Sequence, residues 1–100
     1  MTTTAQASVQ YEDDQVRVTR WDFQPGERTG RHVHAHDYVV VPVTDGRTGA
    51  VAPDGSVTES DLRAGQSYAR PAGGEHDVVN VGEAHLAFVE IELKHTAPAS

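Results

Sequence analysis

Gly65-Gln66-Ser67-Tyr68-Ala69-Arg70-Pro71-Ala72-Gly73-Gly74-Glu75-His76-Asp77-Val78-Val79-Asn80 is the stretch that decides the fold. Leu62-Arg63-Ala64-Gly65 reads as a turn, and Ser67 to Arg70 as a short strand after it. Pro71-Ala72-Gly73 is a corner that needs glycine for its backbone. Asp77 to Val81 then resumes an extended run with His76 at its head. Upstream, Gly26 is followed after five residues by His32-Val33-His34.

Outward from that stretch the chain is short strands separated by turn signals roughly every 8–12 residues, the pattern of a sandwich or barrel. Gln15 to Phe23 sets Val16 and Val18 on one face and Trp21 and Phe23 on the other, and Pro25-Gly26 ends it. His32 to Val43 reads as one long valine-rich strand closed by Asp45-Gly46. Thr48 to Ala52 and Val57 to Ser60 flank Pro53-Asp54-Gly55-Ser56 as a hairpin. Gly82-Glu83 turns again, and Ala84 to Lys94 is the last strand. No window carries helical apolar spacing, so no substantial helix is expected.

One hundred residues fit one domain. Fifteen acidic residues against eight basic ones leave a formal charge of −7, which argues against nucleic acid or an anionic membrane as partner. With no cysteine, any metal must be held by imidazole, carboxylate or phenolate. No apolar run approaches the roughly 20 residues that span a bilayer. Met1 to Ser8 has neither a basic head nor an apolar core, so the cytoplasm is the expected compartment. Met1 to about Ser8 and Thr96 to Ser100 read as loose termini.

Alternation along a strand puts His32 and His34 on one face, where two imidazoles can share a metal ion. His76 arrives from a different strand, just past the proline corner.

Gly65, Pro71, Gly73, His76 and Asn80 fall in the register of the second cupin signature, and Gly26 with His32 and His34 resembles the first. The resemblance covers about Trp21 to Leu93. It implies an all-β, cupin-type double-stranded jelly-roll β-barrel, with residues 13–95 as the domain. Residues 1–12 would be a flexible N-terminal segment or edge strand, and 96–100 a flexible tail. It also implies that His32, His34 and His76 hold a divalent transition metal: Fe2+, Zn2+, Ni2+ or Mn2+. The glutamate ligand usual four residues after the second histidine is replaced by Tyr38. A three-histidine set without carboxylate resembles cupin dioxygenases of thiols and β-diketones. The sequence is also similar to a group of very small bacterial cupins carrying His-x-His-x-His-Asp-Tyr. Some of these are associated by name with β-alanine or amino-acid catabolism.

Tyr38 shares the inward parity of His34 and is read three ways: a spacer filling the glutamate's volume, a hydrogen-bond donor to substrate, or a phenolate ligand or base. His36 is in the same phase and is either a proton-transfer group at the mouth or a half-exposed strand histidine. The last strand places Val89, Ile91 and Leu93 on one face and Phe88, Glu90 and Glu92 on the other. If the aliphatic face packs inward the glutamates are solvated; if Phe88 lines the cavity, Glu90 is a candidate base. Tyr68 and Arg70 share a face, and Arg70 suits an anionic substrate or, more blandly, a surface ion pair. Trp21 packs in the barrel or stacks on substrate, Asn80 tethers backbone, and His85 and His95 are surface residues.

Two function classes follow. One is a metalloenzyme acting on a small anionic metabolite, as a dioxygenase or as a Lewis-acid isomerase or lyase with Tyr38, His36 or Glu90 moving the proton. The other is a non-catalytic module that binds a small molecule or metal. A homodimer covering the sheet edge before Trp21 is expected from the family resemblance.

Overall fold

The computed structural model describes residues 4–94; His95 and the tail at 96–100 lie outside them. Its strands are β1 (Gln6–Glu12), β2 (Val16–Phe23), β3 (His32–Val33), β4 (Asp37–Pro42), β5 (Gly46–Val51), β6 (Val57–Leu62), β7 (Tyr68–Arg70), β8 (Glu75–Asn80) and β9 (Leu86–Leu93). They form a five-stranded sheet, β1-β2-β9-β4-β7, and a four-stranded sheet, β3-β8-β5-β6, with every strand pair antiparallel. The chain passes repeatedly from one sheet to the other, which is the jelly-roll arrangement. Among the described residues no helix is long and apolar enough to cross a membrane.

Alternation explains which residues meet inside. Thr19 and Phe23 on β2, Tyr38 and Val40 on β4, and Phe88 and Glu92 on β9 are all buried. The apolar members of this set join Ala5, Leu62 and Leu86 to form the core, with Trp21, Tyr68 and Val78 packed at its margin. The Phe23 and Phe88 rings lie 5.4 Å apart, and Trp21 extends the stack to Phe23 at 6.1 Å.

The expected 32–43 strand is interrupted. β3 ends at Val33, Ala35 and His36 form a bend, and β4 opens at Asp37. The break is where the chain leaves the four-stranded sheet for the five-stranded one. At the N-terminus, strand structure opens at Gln6, short of the Ser8 limit read as loose. Thr4 bridges Arg28, and the Ala5 N–H donates to the Arg28 carbonyl at 2.8 Å.

Candidate metal centre and cavity

Three segments bring the histidines together. His32 and His76 are direct cross-strand partners on β3 and β8. His34 lies just past β3, outside regular strand, where neighbouring backbone fixes it. Its N–H donates to the Gly74 carbonyl (3.0 Å) and its own carbonyl accepts from Gly73 N–H (2.8 Å). Gly73 has φ +97°, so the corner after Pro71 needs glycine to make that grip. Asp37 ties the same corner to β4 by accepting from Ala72 N–H at 2.8 Å.

The three Nε2 atoms converge. His34 Nε2 lies 3.1 Å from His32 Nε2 and 3.0 Å from His76 Nε2, with the rings edge-on to one another. Donors about 2.1 Å from one ion and at right angles to each other lie about 3.0 Å apart, so the two edges through His34 match the spacing of neighbouring ligands on a first-row metal. The His32 Nδ1–H donates to the Gly30 carbonyl at 2.9 Å, which leaves its Nε2 lone pair free for the ion. Burial, then the charges of His32 and His76, hold the His34 imidazole down at about 4. Burial lowers His76 as well. Neutral imidazole is the form a metal requires. The three residues therefore form a group able to hold a metal ion.

Tyr38 stacks on His34, ring centroids 3.9 Å apart at 19°. Burial raises its phenol to about 12, so it stands beside the imidazoles as a neutral group.

A cavity of about 160 Å³ opens beside the triad. His76, Tyr38, Tyr68, Arg70, Phe88 and Glu90 contribute to its wall from one side or end, and Thr48, Ala50, Thr58 and Ser60 line it from the four-stranded sheet. The face of β9 carrying Phe88, Glu90 and Glu92 is thus the inner one, and Leu93 on the aliphatic face is 38% exposed. The usual solvated-glutamate arrangement does not hold here. Burial first, and the Glu92 charge second, raise the Glu90 carboxyl to about 7, against a lowering pull from Arg17. Glu92 is buried against Arg17, whose Nε donates to its Oε1 at 2.7 Å.

Arg70 makes no ion pair among the described residues. Its guanidinium sits 4.7 Å over the Tyr68 ring and donates to the Ala69 carbonyl. In a chain so rich in acids, the surface ion pair that was the bland reading of Arg70 is not formed. His36 is half-buried, away from the cavity wall, with its Nδ1 unpartnered. Trp21 packs against Phe23 and likewise lies off that wall. His85 is exposed on Asp22 at 2.9 Å. Asn80 is 2% exposed and donates to the Phe23 and Ala84 carbonyls while accepting from Gly82 N–H.

Glu92, Gly74 and Asp37 escaped sequence reasoning. Glu92 keeps parity with Glu90, a signal that was present but neutral without knowing which face of β9 turns inward.

A two-sheet antiparallel barrel with three imidazoles converging at one end of its cavity defines a small jelly-roll protein with a potential metal centre. The chain belongs to the cupin family: the model of the cupin domain matches residues 19–92. It is 49% identical to the beta-alanine degradation protein BauB of Pseudomonas aeruginosa, over 87% of this chain and 90% of the relative. A cupin domain from Bordetella pertussis Tohama I superposes with a TM-score of 0.88 at 45% identity, covering 94% of this chain and 97% of that one. A conserved Klebsiella pneumoniae protein with a double-stranded β-helix domain follows at TM-score 0.76 and 25% identity, over 98% and 84% of the two chains.

Proposed function

We propose that this protein is a metalloenzyme that binds a divalent transition metal through His32, His34 and His76 and moves a proton on a small carboxylate-bearing metabolite. The observation that carries it is the convergence of three Nε2 atoms next to a cavity containing a carboxyl group poised near 7. A bound zinc, nickel or manganese ion would supply Lewis acidity, and iron would supply oxygen chemistry. Arg70 offers a substrate carboxylate its paired N–H groups, with the Tyr68 ring beneath to orient the planar guanidinium. Glu90, half-ionised near neutrality, takes a proton from one substrate atom and returns it to another. Tyr38 and Phe88 shield that exchange from water. The size of the cavity restricts the ligand to a few heavy atoms. The Pseudomonas relative is named for degradation of β-alanine, itself a small carboxylate.

A dioxygenase is the second reading, favoured by the neutral donor set in which Tyr38 replaces a carboxylate ligand. A non-catalytic binding module is the remaining outcome of the test. Elemental mass spectrometry on tag-free protein, beside a His34→Ala/His76→Ala variant, comes first. Solvent-deuterium incorporation into a panel of short oxo- and amino-carboxylates then follows by NMR, with oxygen uptake in parallel. Near-stoichiometric metal with deuterium incorporation lost in Glu90→Gln supports proton transfer. Iron with oxygen uptake supports the dioxygenase. No metal after soaking sinks both.

The same proposal takes the protein as a homodimer. Every residue of β1 is exposed at the sheet edge, including Val9 and Tyr11, and the outer face of β9 is Val89, Ile91 and Leu93. Light scattering should give twice the chain mass, and Ile91→Asp should halve it; a wild-type monomer at tens of micromolar would remove this part.

A further inference from the structure

Before β3, residues 26–29 already run antiparallel along β8. Arg28 bridges Val79, Asn80 N–H donates to the Glu27 carbonyl, and Thr29 N–H donates to the Val78 carbonyl. In that register Thr29 stands opposite Val78, and Arg31 would come opposite His76. The observed partner of His76 is His32, and that of Glu75 is Val33. The pairing has slipped by one residue, so Gly30 and Arg31 together oppose Asp77: a β-bulge whose first position is glycine at φ +87°. The slip decides the chemistry. Without it Arg31 would point into the barrel beside His76, and His32 would point out where Val33 now stands 60% exposed.

Asp77 fills the bulge. Its Oδ1 accepts from Gly30 N–H at 3.0 Å and its Oδ2 from Arg28 Nε at 2.7 Å, with the carboxylate side chain only 16% exposed. Gly30 thus receives Asp77 on its N–H while its carbonyl accepts the His32 Nδ1–H. Thr29 Oγ1 donates to that same carbonyl at 2.9 Å and accepts from Val78 N–H.

We propose that the Gly30–Arg31 bulge, clamped by Asp77 and Arg28, is the device that turns His32 into the metal centre and sets its tautomer, making Asp77 a positioning residue. The inference rests on the metal-centre reading above. Asp77 makes no hydrogen bond to the three imidazoles and lines no part of the cavity; its charge acts on the neighbouring His76, and its positioning role runs through Gly30.

The test uses full-length protein and zinc, with dissociation constants from chelator competition, and long-range 1H–15N spectra of metal-free protein to read the His32 tautomer. Asp77→Ala should weaken zinc about 10- to 100-fold. It should also move His32 from its Nδ1–H form to a mixture. Asp77→Asn, which still offers Gly30 an acceptor, should recover most of both. Asp61→Ala removes a carboxylate ion-paired to Arg47 on the outer face of the same sheet, and should change neither. Gly30→Ala is the second variant should Asp77→Ala fail to fold. Its methyl meets open space, so only the positive φ is penalised, and zinc should weaken at least threefold. Wild-type affinity and tautomer in Asp77→Ala or, in its place, Gly30→Ala overturn the inference, even if thermal stability falls. Wild-type protein that takes up no zinc defeats the metal reading, and the tautomer spectra then decide the positioning role alone.

Discussion

Across the cavity, the five-stranded sheet presents Tyr38, Tyr68, Phe88 and Glu90, while the four-stranded sheet presents Thr48, Ala50, Thr58, Ser60 and Val78. Large side chains on one wall meet small ones on the other, and the unfilled difference is the cavity. Outside, the contrast reverses in kind. The four-stranded sheet and its margin carry ion pairs, Arg47 with Asp61 and Glu59, Arg28 with Asp77, and Arg31 with Glu75. The outer face of the five-stranded sheet carries Val18, Val39, Val89 and Ile91 in adjacent strands, with the ion pair of Arg20 and Asp22 at one end of β2. One sheet holds the core and offers an apolar back; the other is solvated behind and leaves room in front. Binding space in so small a barrel comes from that asymmetry, since close packing on both walls would leave none.

The largest effect that breaks or confirms this contrast is truncation on opposite walls. Phe88→Ala should cost about 3–5 kcal/mol in urea unfolding. Thr58→Ala, at an exposed position lining the same cavity, should change stability by less than about 1 kcal/mol. Equal costs would mean that the two walls share the core.

Next comes the carboxyl pair on the inner face of β9. Folding lifts Glu90 from 4.5 to about 7, so between those values the folded chain binds the extra proton and stability falls as pH rises. The loss is complete above about 7. Glu90→Gln should therefore stabilise the metal-free protein at pH 8, by on the order of 3 kcal/mol, and flatten the slope between pH 4.5 and 7. Glu92→Gln should destabilise instead, because it removes the negative charge that strengthens the 2.7 Å hydrogen bond from Arg17. Urea midpoints at three pH values separate the two; a Glu90 variant that keeps the wild-type slope defeats the assignment.

Asn80 joins the contrasting halves, reaching from β8 to the Phe23 carbonyl at the end of β2. Asn80→Ala strands buried partners and should cost about 2 kcal/mol with an unchanged denaturant slope. The smallest effect belongs to the solvated back. Arg47→Ala should cost no more than about 0.5 kcal/mol, vanishing in high salt. A loss several times larger would show that this face is not merely solvated.

Much of the site was legible in the residues. The set His32, His34 and His76 and the place of Asn80 follow from the cupin resemblance, the inward parity of Tyr38 from alternation, and the corner at Pro71-Ala72-Gly73 from glycine chemistry. The reading of 32–43 as one strand missed the bend at Ala35 and His36, because neither residue is a breaker and the proline of the run, Pro42, lies at its far end. Asp77 entered the sequence reading only as the start of the run to Val81, and its place opposite a bulge is what gives it a role. A bulge is a one-residue mismatch between two strands, and a single strand's sequence does not record its partner's register.

What the sequence determined by itself was local: period-two patterning, turns at glycine and proline, a chain without thiols, and histidines in the phase and order of a cupin. Tertiary structure alone decided which face of β9 turns inward, and hence that Glu90 is buried near neutrality and Glu92 is matched to Arg17. It also decided that Arg70 stays free of the surplus acids, and that His32 rather than Arg31 meets His76. The physical reason is common to all of these. Alternation fixes which residues share a face, but burial, desolvation and register depend on what the opposite strand and the opposite sheet bring to that face.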